Sequence, residues 1–173
     1  MRRPRTKVSL PAIIPEIQPL RVEKKMKIAK LKQKATVYEN GGRKIEVNFH
    51  LQQIAEKRSG RETILDLLNS ETSYIPLEDL KTGEIFFLNK SEVVRVGLYE
   101  REAVQEIKIP SEVLVDVRLT DGDFLVGTFL IDMPPARSRV SDYLNYSPQF
   151  IYLCQKEKDS ILNKAYVRYV KNH

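Results

Sequence analysis

The chain is poor in the side chains that carry chemistry. It holds two histidines, His50 and His173, and a single cysteine, Cys154, among 173 residues. One thiol excludes an internal disulfide and fits a reducing compartment, so a cytoplasmic location is expected. No Cys-x-x-Cys or His-x-x-x-His occurs, so imidazole or thiolate ligands for a metal are not clustered. Gly41-Gly42 is not followed by a Lys-Ser/Thr helix, which excludes a glycine-rich phosphate loop. No apolar run approaches the roughly 20 residues that a membrane span needs. The stretch "VSLPAIIP" at 8–15 is short and twice interrupted by proline, so a cleaved leader is not expected.

What little reactive chemistry exists reads as structural. Cys154 ends the apolar run "FIYLC", where a buried inert thiol is expected. His50 alternates with Phe49 and Leu51 and should point off the core face of a strand. Asp121 and Asp123 flank a turn, as solvated acids do. The expectation is a protein that is not an enzyme and needs no cofactor.

Charge, by contrast, is plentiful and unevenly placed. Residues 1–34 hold 11 Lys/Arg and two Glu, a net of +9; the whole chain is +6, so residues 35–173 sum to 6 − 9 = −3. The basic balance belongs to an N-terminal arm over a mildly acidic body. Prolines at 11, 15 and 19 favour an extended arm, and Ile13, Ile14, Ile17 and Leu20 between them are costly to leave wet. With Arg2, Arg3, Arg5, Lys24, Lys25 and Lys27 they form a candidate partner-binding strip. Residues 21–35 read as a short basic amphipathic helix or as the lead into the first strand. No aromatic residue precedes Tyr38, which argues against base stacking by the arm.

The body is written twice. "ILDLLNSETSYIPL" (64–77) echoes "VSDYLNYSPQFIYL" (140–153), and "FLNKSEVVRV" (87–96) echoes "ILNKAYVRYV" (161–170). Upstream, Val37, Ile45, Val47, Phe49 and Leu51 match Val117, Leu125, Gly127, Phe129 and Ile131. The offset drifts from 80 to 76 to 74, as small loop deletions in a tandem repeat would produce. Alternation around Asn-Gly-Gly and Asp-Gly predicts a hairpin at the start of each unit. A helical turn follows at 66–69 or 141–145. Asp66 is its expected cap in the first unit, Ser141 or Asp142 in the second, and Asn69 or Asn145 should end it in the left-handed region. Strands are then expected at 74–77, 84–89 and 93–96, and at 149–155, 159–163 and 167–170. The predicted fold is all-β with minor helix: two tandem, strongly bent, five-stranded barrels, each with a short helical insert. The division expected is an arm at 1–34, a first barrel at 35–96, a linker at 97–113 and a second barrel at 114–173.

"VRLTDGDFLVGTFLID" (117–132) resembles the first motif of Sm-like proteins, and "ILNKAYVRYV" the second. The resemblance extends to small SH3-like barrels and to an uncharacterised family of bacterial domains. It implies a small barrel per unit, with Gly127 where a bent strand cannot carry a side chain. It also implies nucleic-acid contact by Lys90, Arg95, Lys164 and Arg168 near the last turns, helped by the arm. Asn89-Lys90 and Asn163-Lys164 stand where that family has Arg-Gly or Lys-Gly. The leading expectation is therefore a non-enzymatic binding or assembly protein holding a protein partner, with the arm as tether. RNA or DNA binding is the alternative, and peripheral membrane contact through 21–35 ranks last. A homo-oligomer stays open.

Overall fold

The computed structural model of the chain describes residues 30–53, 60–102 and 111–173. The first half runs Leu31–Glu39 (β1), Lys44–Leu51 (β2), Ile64–Leu68 (α1), Tyr74–Asp79 (β3), Ile85–Asn89 (β4), a 3-10 turn, and Val93–Leu98 (β5). The second runs Ser111–Leu119 (β6), Phe124–Ile131 (β7), Val140–Tyr146 (α2), Phe150–Leu153 (β8), Ser160–Asn163 (β9), a 3-10 turn, and Val167–Asn172 (β10). The two orders are the same apart from one extra 3-10 turn before α2. Each half opens on the expected hairpin, turning through Gly42 (φ 85°) or Gly122 (φ 98°), where a side chain would be strained. β1 begins at Leu31, so the first strand reaches back into residues assigned to the arm.

The fold is all-β with minor helix, but the strands are shared out differently from two separate barrels. One seven-stranded antiparallel sheet runs β4-β3-β2-β1-β5-β9-β8, and a three-stranded sheet runs β10-β6-β7. Neither closes on itself. β5 cannot return to β4, because its second edge is taken by β9 from the other half. In the second half β7 is bridged to the end of β8 by a single backbone pair, Thr128 and Cys154, which exchange hydrogen bonds of 2.8 and 3.0 Å. Gly127 permits that meeting: a Cβ there would lie 2.5 Å from the Cys154 carbonyl oxygen. Its counterpart Val47 is buried in the core beneath a regular β2–β3 pairing.

The shared sheet explains why "FIYL" and "SILN" are apolar on both faces. Phe150, Tyr152 and Ile161 pack into the first core, with Val37, Phe49 and Leu77. Ile151, Leu153 and Leu162 pack into the second, with Val117 and Phe129, and Val94 of β5 joins them there. Strands covered on both faces read as continuous hydrophobic runs. Each such side chain contributes about 1.5–3 kcal/mol on burial.

The helical inserts correct three expectations. The N-cap of α1 is Thr63, whose Oγ1 accepts from the Asp66 N–H at 3.1 Å; Asp66 returns the bond to the Thr63 N–H at 2.9 Å. Asp66 is thus the reciprocal half of a capping box. In α2 the N-cap is Arg139 and no side chain caps it, so neither Ser141 nor Asp142 does so. Asn69 ends α1 at φ −88°, outside the left-handed region, and Ser147, not Asn145, is the C-cap of α2.

Candidate functional site: the inner joint and the outer strand edge

The repeated Leu-Asn-Lys has a mechanical meaning in both halves. Asn89 and Asn163 accept from the N–H two residues on, at 3.1 and 3.0 Å, and start the 3-10 turns. The lysines then reach back to the ends of the helices. Lys90 Nζ donates to the Ser70 carbonyl at 2.6 Å, and Lys164 Nζ to those of Leu144 and Ser147 at 2.8 and 2.7 Å. Cations suit the negative ends of helices, and burial lowers the pKa of both ammonium groups. The echo between "DLLN…LNK" and "DYLN…LNK" is the echo of this strut.

The halves meet along β5 and β9, with Arg95, Val96 and Gly97 opposite Leu162, Ile161 and Ser160. Three side chains lock this joint. Asn69 imitates a strand: its Nδ2 donates to the Phe150 carbonyl and its Oδ1 accepts from the Phe150 N–H, both at 2.9 Å. Asn163 Nδ2 donates to the Val93 carbonyl at 2.8 Å, and Tyr166 Oη to that of Ser91 at 2.6 Å. Beneath lies a buried polar chain. Glu102 accepts from the Ile64 and Leu65 N–H groups at the start of α1, and its own N–H donates to Tyr152 Oη at 3.3 Å. Tyr152 Oη in turn donates to Asp159 at 2.8 Å. Burial and that acidic acceptor push the Tyr152 phenol far above its ordinary pKa.

A cleft of about 430 Å³ lies over the joint, lined by Asn89 and Lys90 of one turn and Asn163 of the other, together with Asn69, Ser70, Gln149 and Phe150. Lys90, Asn69 and Asn163 already hold backbone groups of the fold, and Gln149 donates to Asn163 Oδ1 at 2.6 Å. What this cleft offers a ligand is therefore mainly its rim.

The outer edge is different. On β3 and β4, Tyr74 faces Asn89, Pro76 faces Phe87 and Glu78 faces Ile85. Ile75, Leu77 and Leu88 on the opposite side fill the first core. Tyr74, Ile85 and Phe87 are 59%, 54% and 70% exposed, and β4 has one hydrogen-bonded neighbour among the described strands. Beside this apolar strip runs a polar one. Glu78 receives Lys32 Nζ at 3.0 and 2.8 Å and the Asn48 amide at 3.2 Å, which hold its carboxyl below the usual range. His50 Nε2 stands 3.7 Å from Glu78, off the core face as expected. An apolar strip with a polar rim is the anatomy of a protein-docking surface.

The remaining candidates are dispersed. Arg2, Arg3, Arg5, Ile13, Ile14, Ile17, Leu20, Lys24, Lys25 and Lys27 lie outside the described residues. Arg95 stacks 3.5 Å from the Tyr38 ring centroid and pairs with Asp123 at 2.8 Å, so its charge is engaged. Of the four cations near the last turns, Arg168 alone is exposed. Asn145 donates back to Ser141 at 2.7 Å on its own helix, and Asp142 is half-buried there. Cys154 is half-buried, and burial raises its thiol pKa. No group of three or more His, Cys, Asp or Glu that could hold a metal occurs among the described residues, and none of their helices is long and apolar enough to cross a membrane.

Tyr74, Ile85 and Phe87 were not singled out by the sequence. The available signal was "IFFL" at 85–88, apolar on both faces, which a strand with one wet face does not require. Compared with known families, curated proteins and solved structures, the chain finds no match.

Proposed function

We infer that the chain is a non-enzymatic binding or assembly protein of the cytoplasm, built from two repeats that resemble Sm-like and SH3-like domains and share their strands between two open sheets. Its working surface is the β3–β4 edge, which takes an extended segment of a protein partner as an added strand. The single observation that carries this reading is the exposure of Tyr74, Ile85 and Phe87 on an edge beyond which no further strand lies among the described residues. Main-chain bonds would give affinity, and the exposed side chains of Tyr74, Ile85 and Phe87 selectivity. The basic arm serves as a tether that raises the local concentration of an acidic partner.

Two full-length variants test the reading separately. With Phe87→Asp immobilised, partners retained by the unaltered chain should be lost. With Arg2, Arg3 and Arg5 all replaced by Ser, the same partners should be retained at low salt and lost earlier as salt rises. Recovery of one identical set by all three proteins would overturn both the edge and the tether.

A further inference from the structure

The chain already contains one example of what its outer edge can bind. Ile161 follows Phe87 by 74 positions in the repeat, and Tyr169 follows Arg95 by the same 74. β9 is therefore the inner counterpart of β4, and β5 the inner counterpart of β10. The inner pair is joined, whereas β4 and β10 each end a sheet among the described strands. All four residues of β9 are buried, while Ile85 and Phe87 of β4 are exposed; Phe150 is 4% exposed and its counterpart Tyr74 59%. Val93, Val94 and Val96 of β5 are buried, while Arg168 and Tyr169 of β10 are exposed.

We propose that the occupant of the β4 edge is β10 of a second copy of this chain, joined head to tail in the register of the internal joint. This rests on the reading of the outer edge as a docking strand. Moved by the repeat offset, Arg95↔Leu162, Val96↔Ile161 and Gly97↔Ser160 become Tyr169↔Leu88, Val170↔Phe87 and Lys171↔Phe86. Two of the three side-chain locks move with them, and the third does not, since Glu92 stands where Tyr166 would. Asn145 comes to the Tyr74 backbone as Asn69 does to Phe150, and Asn89 to the Val167 carbonyl as Asn163 does to Val93. The charges agree. β10 carries Arg168 and Lys171, and β3 and its turn carry Asp79 and Glu84 beside Glu78, which Lys32 already holds; this register also sets His173, 3.0 Å from Asp116 within its own chain, against Glu84.

The outer joint is built weaker than the inner one. Arg168 replaces Val94 and Lys171 replaces Gly97, and charges on an edge strand oppose indiscriminate pairing. Assembly is therefore reversible, concentration-dependent and weakened by salt. Because β4 and β10 are different edges, the contact is heterologous, and it continues until a ring closes or a filament grows.

Sedimentation velocity of the full chain up to about 100 µM tests this by mass action. The unaltered protein should form species larger than a monomer. Phe87→Asp and Tyr169→Asp, both at positions more than half exposed (70% and 52%), should each be monomeric with unchanged thermal unfolding. Mixed one to one, they should give a dimer and nothing larger, since each retains one intact edge and the two edges are complementary. A monomeric unaltered chain at every concentration overturns the proposal, as does assembly that survives Phe87→Asp, or a mixture that stays monomeric. If the unaltered chain is monomeric yet Phe87→Asp still loses captured partners, the docking edge stands and only the second copy falls. If neither occurs, both readings fall.

Discussion

β4 and β9 are the same strand of the repeat in two situations, and so are β10 and β5. In the inner pair, backbone is joined to backbone and each side chain enters one of two cores. In the outer pair the apolar residues persist on β4, and charge has entered β10. Burial in this molecule is thus set by position in the assembly as much as by the pattern of a strand. Ile161 and Phe87 occupy equivalent places, yet Ile161 is 0% exposed and Phe87 70%.

The largest expected effect breaks that pair apart. Ile161→Ala should cost about 2–5 kcal/mol in denaturant unfolding, as buried truncations do. Phe87→Ala in dilute protein should stay within about 0.5 kcal/mol, as for a surface site. Equal costs would mean that the chain covers its own edge. Next comes Gly127, whose added Cβ would meet Leu153 and the Cys154 carbonyl, against Gly97, where the nearest atom is 3.6 Å away on Tyr38. Gly127→Ala should destabilise by about 1–3 kcal/mol through overpacking. Gly97→Ala should be near neutral, and a reversal would show that β7 and β8 do not cross closely.

Of similar size is the difference between the two helix-end asparagines. Asn69→Ala removes two bonds to Phe150 and should cost about 1–3 kcal/mol, given about 0.5–1.5 per bond. Asn145→Ala, at an exposed site, should cost less than about 0.5 kcal/mol. A fourth contrast is in pH. Tyr143 of α2 packs 5.3 Å from Phe129, and burial pushes its phenol up to about 12; Leu67 fills its place in α1. A raised folded pKa contributes stability that is complete below the unfolded value near 10 and is lost as pH rises toward 12. Stability should therefore fall as pH rises above about 10, and the raised Tyr152 phenol in the first core adds to the loss. Tyr143→Phe should shift the transition to higher pH, and no shift would show that Tyr143 is already solvated.

Much of the chain was legible because its signals are local. Asn-Gly-Gly and Asp-Gly located both hairpins, and strict alternation located Ile45, Val47, Phe49 and Leu51 in the core. The echo of "LNK" marked the strut in each half, although its partner at the helix end was not apparent. What could not be read is what depends on the other half. The second edge of β5 belongs to β9, which no pattern within "VVRVGL" reveals, so two closed barrels were expected where one sheet is shared. Asn69 likewise carries the composition of a helix end, and only the arrival of Phe150 makes it a clamp. Lys90 and Lys164 read as free cations for the same reason: the carbonyls they serve lie about 20 residues away in sequence.

The central claim is that β4 is an open counterpart of β9. Amide hydrogen exchange, followed peptide by peptide at low and high protein concentration, tests it most directly. Ser160–Asn163 should be protected at both concentrations; Ile85–Asn89 and Val167–Asn172 should exchange fast when dilute and slow together when concentrated. Protection of Ile85–Asn89 equal to that of Ser160–Asn163 in the most dilute sample would contradict the account.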